Sequence, residues 1–486
     1  MEQTKLSSLL IQNVMQVRSA YASSGDLNVR MLSSGEHRFA CITLENMVNK
    51  QILNDMLLKR LVRQPLSGPP MNCFIQIEEE ISTASEQKRI STLEQLYEMM
   101  ASGFAVLLMD GVPLGLALGF QGFPTRGVQP PENEVMERAS HEAFVDVLKL
   151  NTPLLRRRMK TKDFVIETMQ VGRSSQTQVA VCYLQGRASE CTVAKIKQQL
   201  RSVKIDTVLE SGYLQPFLEA DSRSLFPSVG VSERPDTVCA KISEGRVAIL
   251  VDGSPFCLIT PFLFSEHFQS MDDYTMNPYY ATFIRLLKYL SFFLAMLLPG
   301  FYVAVGEHNP EVFPSAIFFK VVDAEVATPF SLLWEALIIH TIYEIMREAG
   351  LRLPKSVGHA VSIVGALVIG EAAVTAGLIG APMIIVVAVT ALASYVIPSL
   401  YYPTAILRFL FIIVGGLSGL FGVVLLFAVV LTEITSLNAF GVPISAPISP
   451  FDLRSMRDTV ARLGWKTLAR RIARVQELHG AEEETR

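Results

Sequence analysis

The first 285 residues alternate between short apolar runs and segments whose apolar residues recur with helical spacing. This pattern predicts a mixed α/β region rather than an all-helical one. The opening MEQTKLSSLLIQNVMQ begins a mildly amphipathic helix and lacks the continuous apolar core of a signal peptide. Strands are predicted at 39–44, 72–77 and 176–184, and helices at 47–61, 91–100, 137–151, 190–202 and 206–219.

Two β-hairpins with the same turn end the two halves of this region. Residues 105–120 and 247–261 each contain two apolar runs joined by an Asp-Gly pair, which favours a tight hairpin turn. Asp110 and Asp252 are therefore interpreted as turn residues that cap their own backbone, not as catalytic acids. The shared ending suggests an internal duplication, although hairpins of this kind are common.

Apolar residues dominate from residue 286 onward. Because about 20 apolar residues cross a bilayer, five candidate membrane segments are predicted, at 289–305, 331–346, 360–379, 382–398 and 405–431. The third and fifth are long enough to span, and the first and fourth are short. The fifth has glycines at 415, 416, 419 and 422, which is typical of a close-packing surface.

The second candidate segment is too polar to face lipid all round. It contains Glu335, His340 and Glu344, which favours an interfacial or protein-lined helix. Basic residues dominate at 451–475, which predicts a cytoplasmic C-terminus. With both termini cytoplasmic the number of crossings is even, so one of the five candidates does not cross. The second segment is our choice, and a return through 437–450 is the alternative.

The composition agrees with this division. The chain is 50% hydrophobic and 18% charged, with a mean hydropathy of +0.34, whereas soluble domains carry about 25% charged residues. Of the charged residues, 60 lie in 1–285, 15 in 286–448 and 14 in the last 38 positions. We predict two cytoplasmic α/β subdomains at 1–130 and 131–285, an α-helical polytopic membrane domain at 286–448 and a basic amphipathic tail at 449–486.

Signatures of catalysis and of metal binding are missing from the sequence. There is no phosphate loop, nucleophile elbow or dinucleotide-binding glycine motif. Six cysteines occur without a CxxC pair, and His141-Glu142 lacks the second histidine of a zinc protease. The run Arg156-Arg157-Arg158 is interpreted as a solvated helix face or a headgroup contact. The net charge of −3 provides no basic surface for nucleic acid. Because the motifs of catalysis and metal binding are missing, we expect no enzyme, no cofactor and no metal site.

The third membrane segment has two distinct faces. Small residues recur at every fourth position and favour close helix packing, at Gly358, Ser362, Ala366 and Gly370. The roughly opposite face carries Val361, Val364, Val368, Glu371 and Thr375. A glutamate inside a spanning helix costs about 2.5 to 3.5 kcal/mol, so Glu371 should face protein or water. Two interpretations of Glu371 are open. In the first, it is hydrogen bonded within a helix bundle or lies close enough to the surface to reach water. In the second, several copies of this helix surround an axis, the valines form an apolar gate and the Glu371 side chains form a ring of carboxylates.

Several stretches after residue 130 form a recognisable pattern. They are ERPDTVCAKISEGRVAILVDGSPFCLITP at 233–261, Asp273-Tyr274, FIRLLKYLSFFLAMLLPGFYVA at 283–304, the whole stretch 334–379 and SLNAFGVPISAPISP at 436–450. Together they resemble the spore germination receptor A subunits of the GerA family. The sequence departs from the family at Ala139-Ser140, where Gly-Pro is common, and at Glu371, where Gln is usual.

The resemblance implies a multi-pass subunit of a germinant receptor in the inner membrane of a bacterial spore, with both termini on the core side. It implies a pentameric, nutrient-gated channel for monovalent cations that works with a transporter-like B subunit and a lipoprotein C subunit, in contact with membrane lipid. The alternatives are an amplifier of ion release of the stage V sporulation protein AF type and a non-conducting membrane scaffold.

Overall fold

The computed structural model describes residues 4–22, 24–82, 84, 86–122, 131, 134, 136, 140–312, 314–353, 370–453, 455–468 and 474–482. Within these residues the chain forms two α/β units, a set of long helices and a C-terminal tail.

The first α/β unit, unit 1, is an antiparallel five-stranded sheet between two helical layers. The sheet order is β1-β2-β4-β5-β3. Buried apolar residues line both faces of the sheet, so each face has its own core. The elements are α1 (Leu10–Ala20), β1 (Leu27–Ser34), β2 (His37–Leu44), α2 (50–63), α3 (70–81), β3 (Gln87–Ile90), α4 (Leu93–Ala101), β4 (Ala105–Met109) and β5 (Gly115–Leu118).

The second α/β unit, unit 2, has the same architecture. Its sheet order is β6-β7-β9-β10-β8, again with a buried apolar core on each face. The elements are α5 (Leu148–Arg158), β6 (Phe164–Val171), β7 (Thr177–Leu184), α6 (Glu190–Ser202), β8 (Gly230–Ser232), α7 (Pro235–Ser243), β9 (Val247–Val251) and β10 (Cys257–Thr260).

The two units repeat one topology, and the hairpin aspartates repeat one contact. Asp110 accepts a hydrogen bond from the backbone N–H of Leu10, the first residue of α1, at 3.0 Å. Asp252 accepts the equivalent bond from Leu148, the first residue of α5, at 2.9 Å. The prediction that these carboxylates cap their own backbone is wrong, because each stabilises the N-terminus of a helix distant in sequence. The repeated topology supports the internal duplication.

The repeat extends to the first turn of each leading helix. Asn13 of α1 exchanges two hydrogen bonds with the backbone of Ser7, at 2.7 and 2.9 Å. Asn151 of α5 makes the same pair with the backbone of Val145, at 2.6 and 2.8 Å. Both amides are buried and satisfied, so the equivalent helices are anchored in the same way.

The three consecutive arginines of α5 are not a solvated face. Arg156 is 1% exposed and forms an ion pair of 2.8 Å with Asp26 of unit 1. Arg157 and Arg158 both contact the carboxylate of Glu142. The earlier interpretation of this run is therefore wrong, because its first residue joins the two units and the others bind a nearby acid.

Three predicted elements also differ from the structure. Residues 72–77 are helical, not extended, since Cys73, Phe74, Ile77 and Ile81 are buried with helical spacing behind Pro70 at the helix start. The helix predicted at 137–151 begins only at Leu148. Most of the helix predicted at 206–219 is replaced by two short turns, Ser211–Tyr213 and Gln215–Leu218.

The helical part contains α8 (Pro278–His308), α9 (Ser315–Val326), α10 (Leu332–Arg352), α11 (Ala381–Tyr395) and α12 (Tyr401–Ser436). Among the described residues, Pro278–His308 and Pro398–Ser436 are long and apolar enough to cross a membrane, and Ala381–Tyr395 is a shorter apolar helix.

Helix α12 reverses direction at Gly419. Its first leg, 401–418, lies along α8, where Arg408 contacts the carbonyl of Ala295 at 2.9 Å. Its second leg, 420–436, returns along the same helix, because the Phe427 ring lies 6.1 Å from that of Phe293. A straight helix would separate residues 408 and 427 by about 28 Å. The fifth predicted segment is therefore a helical hairpin.

The C-terminal tail packs onto unit 2. A small hairpin of Asn438–Ala439 and Val442–Pro443 follows α12. Farther along, the backbone N–H of Val475 donates to the carbonyl of Glu244 at 3.0 Å, and the side chain of Arg462 is 2% exposed. The only α-helix among the described tail residues is Trp465–Leu468. The basic amphipathic character of the tail stays a prediction.

Candidate functional site

The predicted pore segment is described only at its C-terminal end. The structure describes Gly370, Glu371 and Thr375, which lie in a helical stretch that precedes α11. Gly370 is buried, and a Cβ there would lie 3.9 Å from Cγ2 of Ile384 in α11. Glu371 and Thr375 are exposed. The other predicted residues, Val361, Val364 and Val368 of the proposed pore face and Gly358, Ser362 and Ala366 of the small stripe, lie outside the described residues.

A fully buried arginine joins four helices near one end of the bundle. Arg408 of α12 donates to the carbonyl of Ala295 in α8 at 2.9 Å. Its two Nη atoms donate to Glu344 of α10 at 3.2 Å and to the hydroxyl of Ser394 in α11 at 2.5 Å. The phenol of Tyr401 also donates to Glu344, at 2.7 Å. A planar guanidinium suits this arrangement because its donors diverge toward separate acceptors.

Two other polar residues of α10 are buried by the protein itself. Glu335, 1% exposed, accepts a hydrogen bond from the backbone N–H of Gly380 at the start of α11. His340 is 0% exposed, and its Nδ1 lies 2.9 Å from the carbonyl oxygen of Ala336. Of the two interpretations of this segment, burial therefore supports a protein-lined helix.

Glycines bring α8 and α12 into backbone contact. A Cβ at Gly415 would overlap the carbonyl oxygen of Gly300, and a Cβ at Gly300 would lie 2.5 Å from the carbonyl of Phe411. Larger residues would force these helices apart. The close-packing role predicted for the glycines of the fifth segment is confirmed at this contact.

The end of α8 satisfies the backbone groups that the α12 reversal leaves free. Gly419 has φ 63° and ψ −155°, a conformation essentially restricted to glycine. The N–H of Leu420 donates to the Asn309 side chain at 3.2 Å, and Nε2 of His308 lies 2.7 Å from the Gly416 carbonyl. The reversal is thus stabilised from both sides.

Where unit 2 meets α8, a buried group of charges includes the tail. We call Asp273, Tyr274, Arg285 and Asp458 the charged joint. Arg285, 0% exposed, donates to Asp273 of the segment between unit 2 and α8 at 2.7 Å and to Asp458 of the tail at 2.9 Å. The phenol of Tyr274 donates to Asp458 at 2.7 Å. Because its members come from α8, the segment before it and the tail, the joint fixes the start of α8 relative to that segment and the tail.

A second buried ion cluster stabilises unit 2. The carboxylate of Glu266 contacts Lys241 and lies 2.6 Å from Nη2 of Arg246. Burial opposes ionisation of this carboxyl, but the two cations outweigh it and hold the pKa of Glu266 below its usual range. Next to it, burial lowers the pKa of His267 to about 4. The ring of His267 contacts the hydroxyl of Ser399, which precedes α12, at 3.0 Å.

The charged residues described above are paired with protein groups, not arranged as a metal site. Within the described parts of the chain, no group of three or more His, Cys, Asp or Glu side chains could hold a metal ion. The six cysteines are free thiols, and all except Cys191 are buried.

Sequence reasoning missed Arg408 and the charged joint. A single arginine inside an otherwise apolar stretch was the available signal for Arg408, because an intramembrane charge normally has a buried partner. No sequence signal joined Asp273 to Asp458, since they come together only through the folding of the tail.

The chain is similar to several known proteins. The model of the Bacillus/Clostridium GerA spore germination protein family matches residues 15–473. Spore germination protein KA of Bacillus subtilis (strain 168) is 35% identical over 465 residues, covering 95% of this chain and 85% of that protein. Spore germination protein B1 of the same strain is 33% identical over 474 residues, covering 97% and 98%.

One solved structure is also similar. It is the N-terminal domain of the A subunit of the Bacillus megaterium spore germinant receptor GerK3, which is 28% identical, covers 54% of this chain and 99% of its own and has a TM-score of 0.44. The family match extends across both α/β units and the helical part. The chain therefore belongs to the GerA family of spore germination proteins.

Proposed function

We propose that this chain is the A subunit of a germinant receptor in the inner membrane of a bacterial spore, where copies assemble into a nutrient-gated channel for monovalent cations. Family membership supports a role in germination, and the two long apolar helices support a membrane location. The resemblance to receptor A subunits is the ground on which we propose partnership with a transporter-like B subunit and a lipoprotein C subunit. Assembly as a pentamer is part of the same proposal.

Six membrane crossings, with both termini on the core side, are part of the proposal. The crossing segments are α8, α10, the predicted segment at 360–379, α11 and the two legs of α12. The contacts of α12 support this number, because both of its ends lie against unit 2. Ser399 is next to His267, and Glu433 accepts a hydrogen bond from the backbone N–H of Leu225 at 3.1 Å. With α12 counted as two crossings, all five predicted segments cross the membrane and the total is even.

Contact with lipid accounts for the apolar surface of the helices. Leu417, Phe421 and Val424 around the α12 reversal are 69%, 77% and 65% exposed. Side chains of this kind favour hydrocarbon over water, and a surface with many of them marks contact with membrane or protein.

The observation that carries the pore hypothesis is the difference between neighbouring residues before α11. Gly370 is buried against α11, whereas Glu371 and Thr375 are not covered by their own chain. In an assembly around an axis, the uncovered face can line the ion path, with Val361, Val364 and Val368 as an apolar gate. Glu371 would then form a ring of carboxylates, which favours cations.

Spores that carry Val364→Ala or Val368→Ala test the gate. Because a smaller side chain widens an apolar constriction and lets water enter, we expect release of potassium without nutrient. Val424→Ala, on the exposed surface of α12, is the matched control and should retain potassium. Retention in both gate variants, together with leakage when the small stripe is changed at Ala366, would show that the pore face was chosen wrongly.

Ion selectivity tests Glu371 separately. In vesicles that contain the complete receptor, Glu371→Gln should reduce the preference for cations over anions, because the ring of negative charge is lost. Normal nutrient-triggered ion release after disruption of the whole 360–379 segment would favour a non-conducting scaffold.

A further inference from the structure

Unit 1 covers one stripe of α5 with one end of its sheet. The sheet end is Asp26, which directly precedes β1, and Asn46, which closely follows β2. Asp26 pairs with Arg156 at 2.8 Å, and the Asn46 amide donates to the carbonyl of Lys149 at 3.0 Å. The covered stripe of α5 therefore runs from Lys149 through Pro153, which is buried, to Arg156.

The equivalent stripe of α1 is uncovered. Counted from the first residue of each helix, Ile11, Met15 and Arg18 take the places of Lys149, Pro153 and Arg156. Ile11 and Met15 are 57% and 65% exposed, and Arg18 is exposed as well. In the part of this chain that the structure describes, no acidic side chain pairs with Arg18.

Unit 2 has its own copy of the sheet end. Asp163 directly precedes β6, and its carbonyl accepts from the N–H of Gln185 at 2.8 Å, as the carbonyl of Asp26 accepts from Glu45 at 2.8 Å. Gly186, with φ 74°, takes the place of Asn46, with φ 58°. The two sheet ends therefore share this backbone hydrogen bond and a positive φ at the equivalent position.

The side-chain chemistry of the sheet end is repeated too. The Thr161 hydroxyl donates to Asp163 at 3.3 Å, as that of Ser24 donates to Asp26 at 2.5 Å. Lys162 lies over the ring of Tyr97 in unit 1, 5.3 Å from its centroid, while Asp163 beside it remains exposed. Asp163 and the α1 stripe are thus both exposed, and Asp163 and Arg18 carry opposite charges.

We infer that unit 2 of one copy docks its sheet end on the α1 stripe of the next copy, so that Asp163 pairs with Arg18 as Asp26 pairs with Arg156 within the chain. The inference rests on the self-association in the proposed function and names its cytoplasmic interface. Because two different surfaces meet, the contact is heterologous and can close into a ring of copies. It would also cover Ile11 and Met15, whose exposure on a lone chain is otherwise unexplained.

Cross-linking tests the contact directly on the full-length protein in detergent or nanodiscs. Because Cys191 is the only cysteine that is not buried, Cys191→Ser provides the background. Coexpressed, differently tagged chains with Arg18→Cys and Asp163→Cys should be joined between copies by a short bismaleimide. Arg60→Cys with Asp163→Cys is the control, since Arg60 is exposed on α2, on the other face of the sheet from α1.

Charge reversal tests the ion pair. Arg18→Asp or Asp163→Arg alone should reduce the cross-linked or assembled fraction about tenfold, because like charges meet. The two changes in one chain should restore assembly, and Arg60→Asp should have no effect. If the protein assembles but the Arg18→Cys and Asp163→Cys chains are not cross-linked, the inference is overturned. The same holds if neither charge reversal changes the assembled fraction. Both outcomes leave the proposed function intact. A chain that is monomeric in every variant and in the unchanged protein would contradict both.

Discussion

Replacement of Arg408 by lysine should loosen the bundle although the positive charge is kept. From α12, the guanidinium donates to Ala295 of α8, Glu344 of α10 and Ser394 of α11. A lysine ammonium concentrates its donors at one point and cannot reach three diverging acceptors. We expect it to keep Glu344 and to leave the Ala295 carbonyl and the Ser394 hydroxyl without this donor.

The size of the effect follows from the bonds that are lost. A buried hydrogen bond contributes about 1 kcal/mol net, and an unsatisfied buried group costs about 1 to 3 kcal/mol. Loss of two bonds should therefore lower the unfolding free energy of Arg408→Lys by about 2 to 4 kcal/mol. Arg408→Gln also leaves Glu344 without its cation and should cost about 3 to 5 kcal/mol.

Unfolding by SDS in mixed micelles measures these differences. Arg352→Lys is the matched control, because Arg352 is exposed and its ion pair within the described residues is with Glu348, one turn away. It should change stability by less than about 0.5 kcal/mol. If Arg408→Lys were as stable as the unchanged protein, the guanidinium would not hold the helices together. In a double-mutant cycle, Arg408→Gln with Glu344→Gln should cost less than the sum of the single changes.

Three further predictions concern other parts of the structure. Gly419→Ala should lower the unfolding free energy by about 3 kcal/mol in the same assay, because the positive φ disfavours a Cβ and this Cβ would lie 2.9 Å from that of His308. The control Gly186→Ala, which also has a positive φ but open space around it, should cost about 1 kcal/mol. Burial lowers the pKa of His267 to about 4, so its ring is neutral in the folded protein at a pH where it would be protonated in the unfolded chain. The free energy of unfolding should therefore fall by about 2 kcal/mol as the pH is lowered from 6.5 to 5. His267→Gln should flatten this dependence in thermal unfolding between pH 7.5 and 5, and exposed His479→Gln should not. Asp458→Asn should weaken the charged joint, so limited proteolysis should remove the tail faster; equal rates would mean that the joint does not hold it.

The sequence predicted elements whose stability is local. The helix predicted at 190–202 is Glu190–Ser202 in the structure, and both Asp-Gly hairpins are present. The short edge strands Gln87–Ile90 and Gly230–Ser232 were missed, because their pairing depends on partners far along the chain. At 72–77 the apolar run fitted either period, and the proline that starts the helix was the signal that should have decided.

The faces of the candidate pore segment are described at three of its predicted residues, and their roles in packing and in a pore stay predictions. Periodicity alone separated Gly370 from Glu371 and Thr375, and the structure buries the first and exposes the others. Arg408 and the charged joint depend on long-range pairs, which a pattern along the chain does not contain. The hydrogen bonds from Asp110 and Asp252 to helix N-termini could not be predicted for the same reason, since their partners, the first residues of α1 and α5, are about 100 residues away in the sequence.

The hairpin in α12 changes the argument about membrane crossings. Counting one crossing for each apolar segment gave an odd number, and the second segment was set aside because it is polar. A straight helix over 405–431 would be about 40 Å long, well beyond a hydrocarbon core of about 30 Å, and Gly419 lies near its middle. Because α12 has two legs that each cross, the number of membrane crossings is even although every predicted segment crosses. The polar residues Glu335 and His340 then pose no obstacle to a crossing, because their own chain buries them. Under the proposed topology, polarity in a membrane helix therefore reports a protein-lined position and not the absence of a crossing.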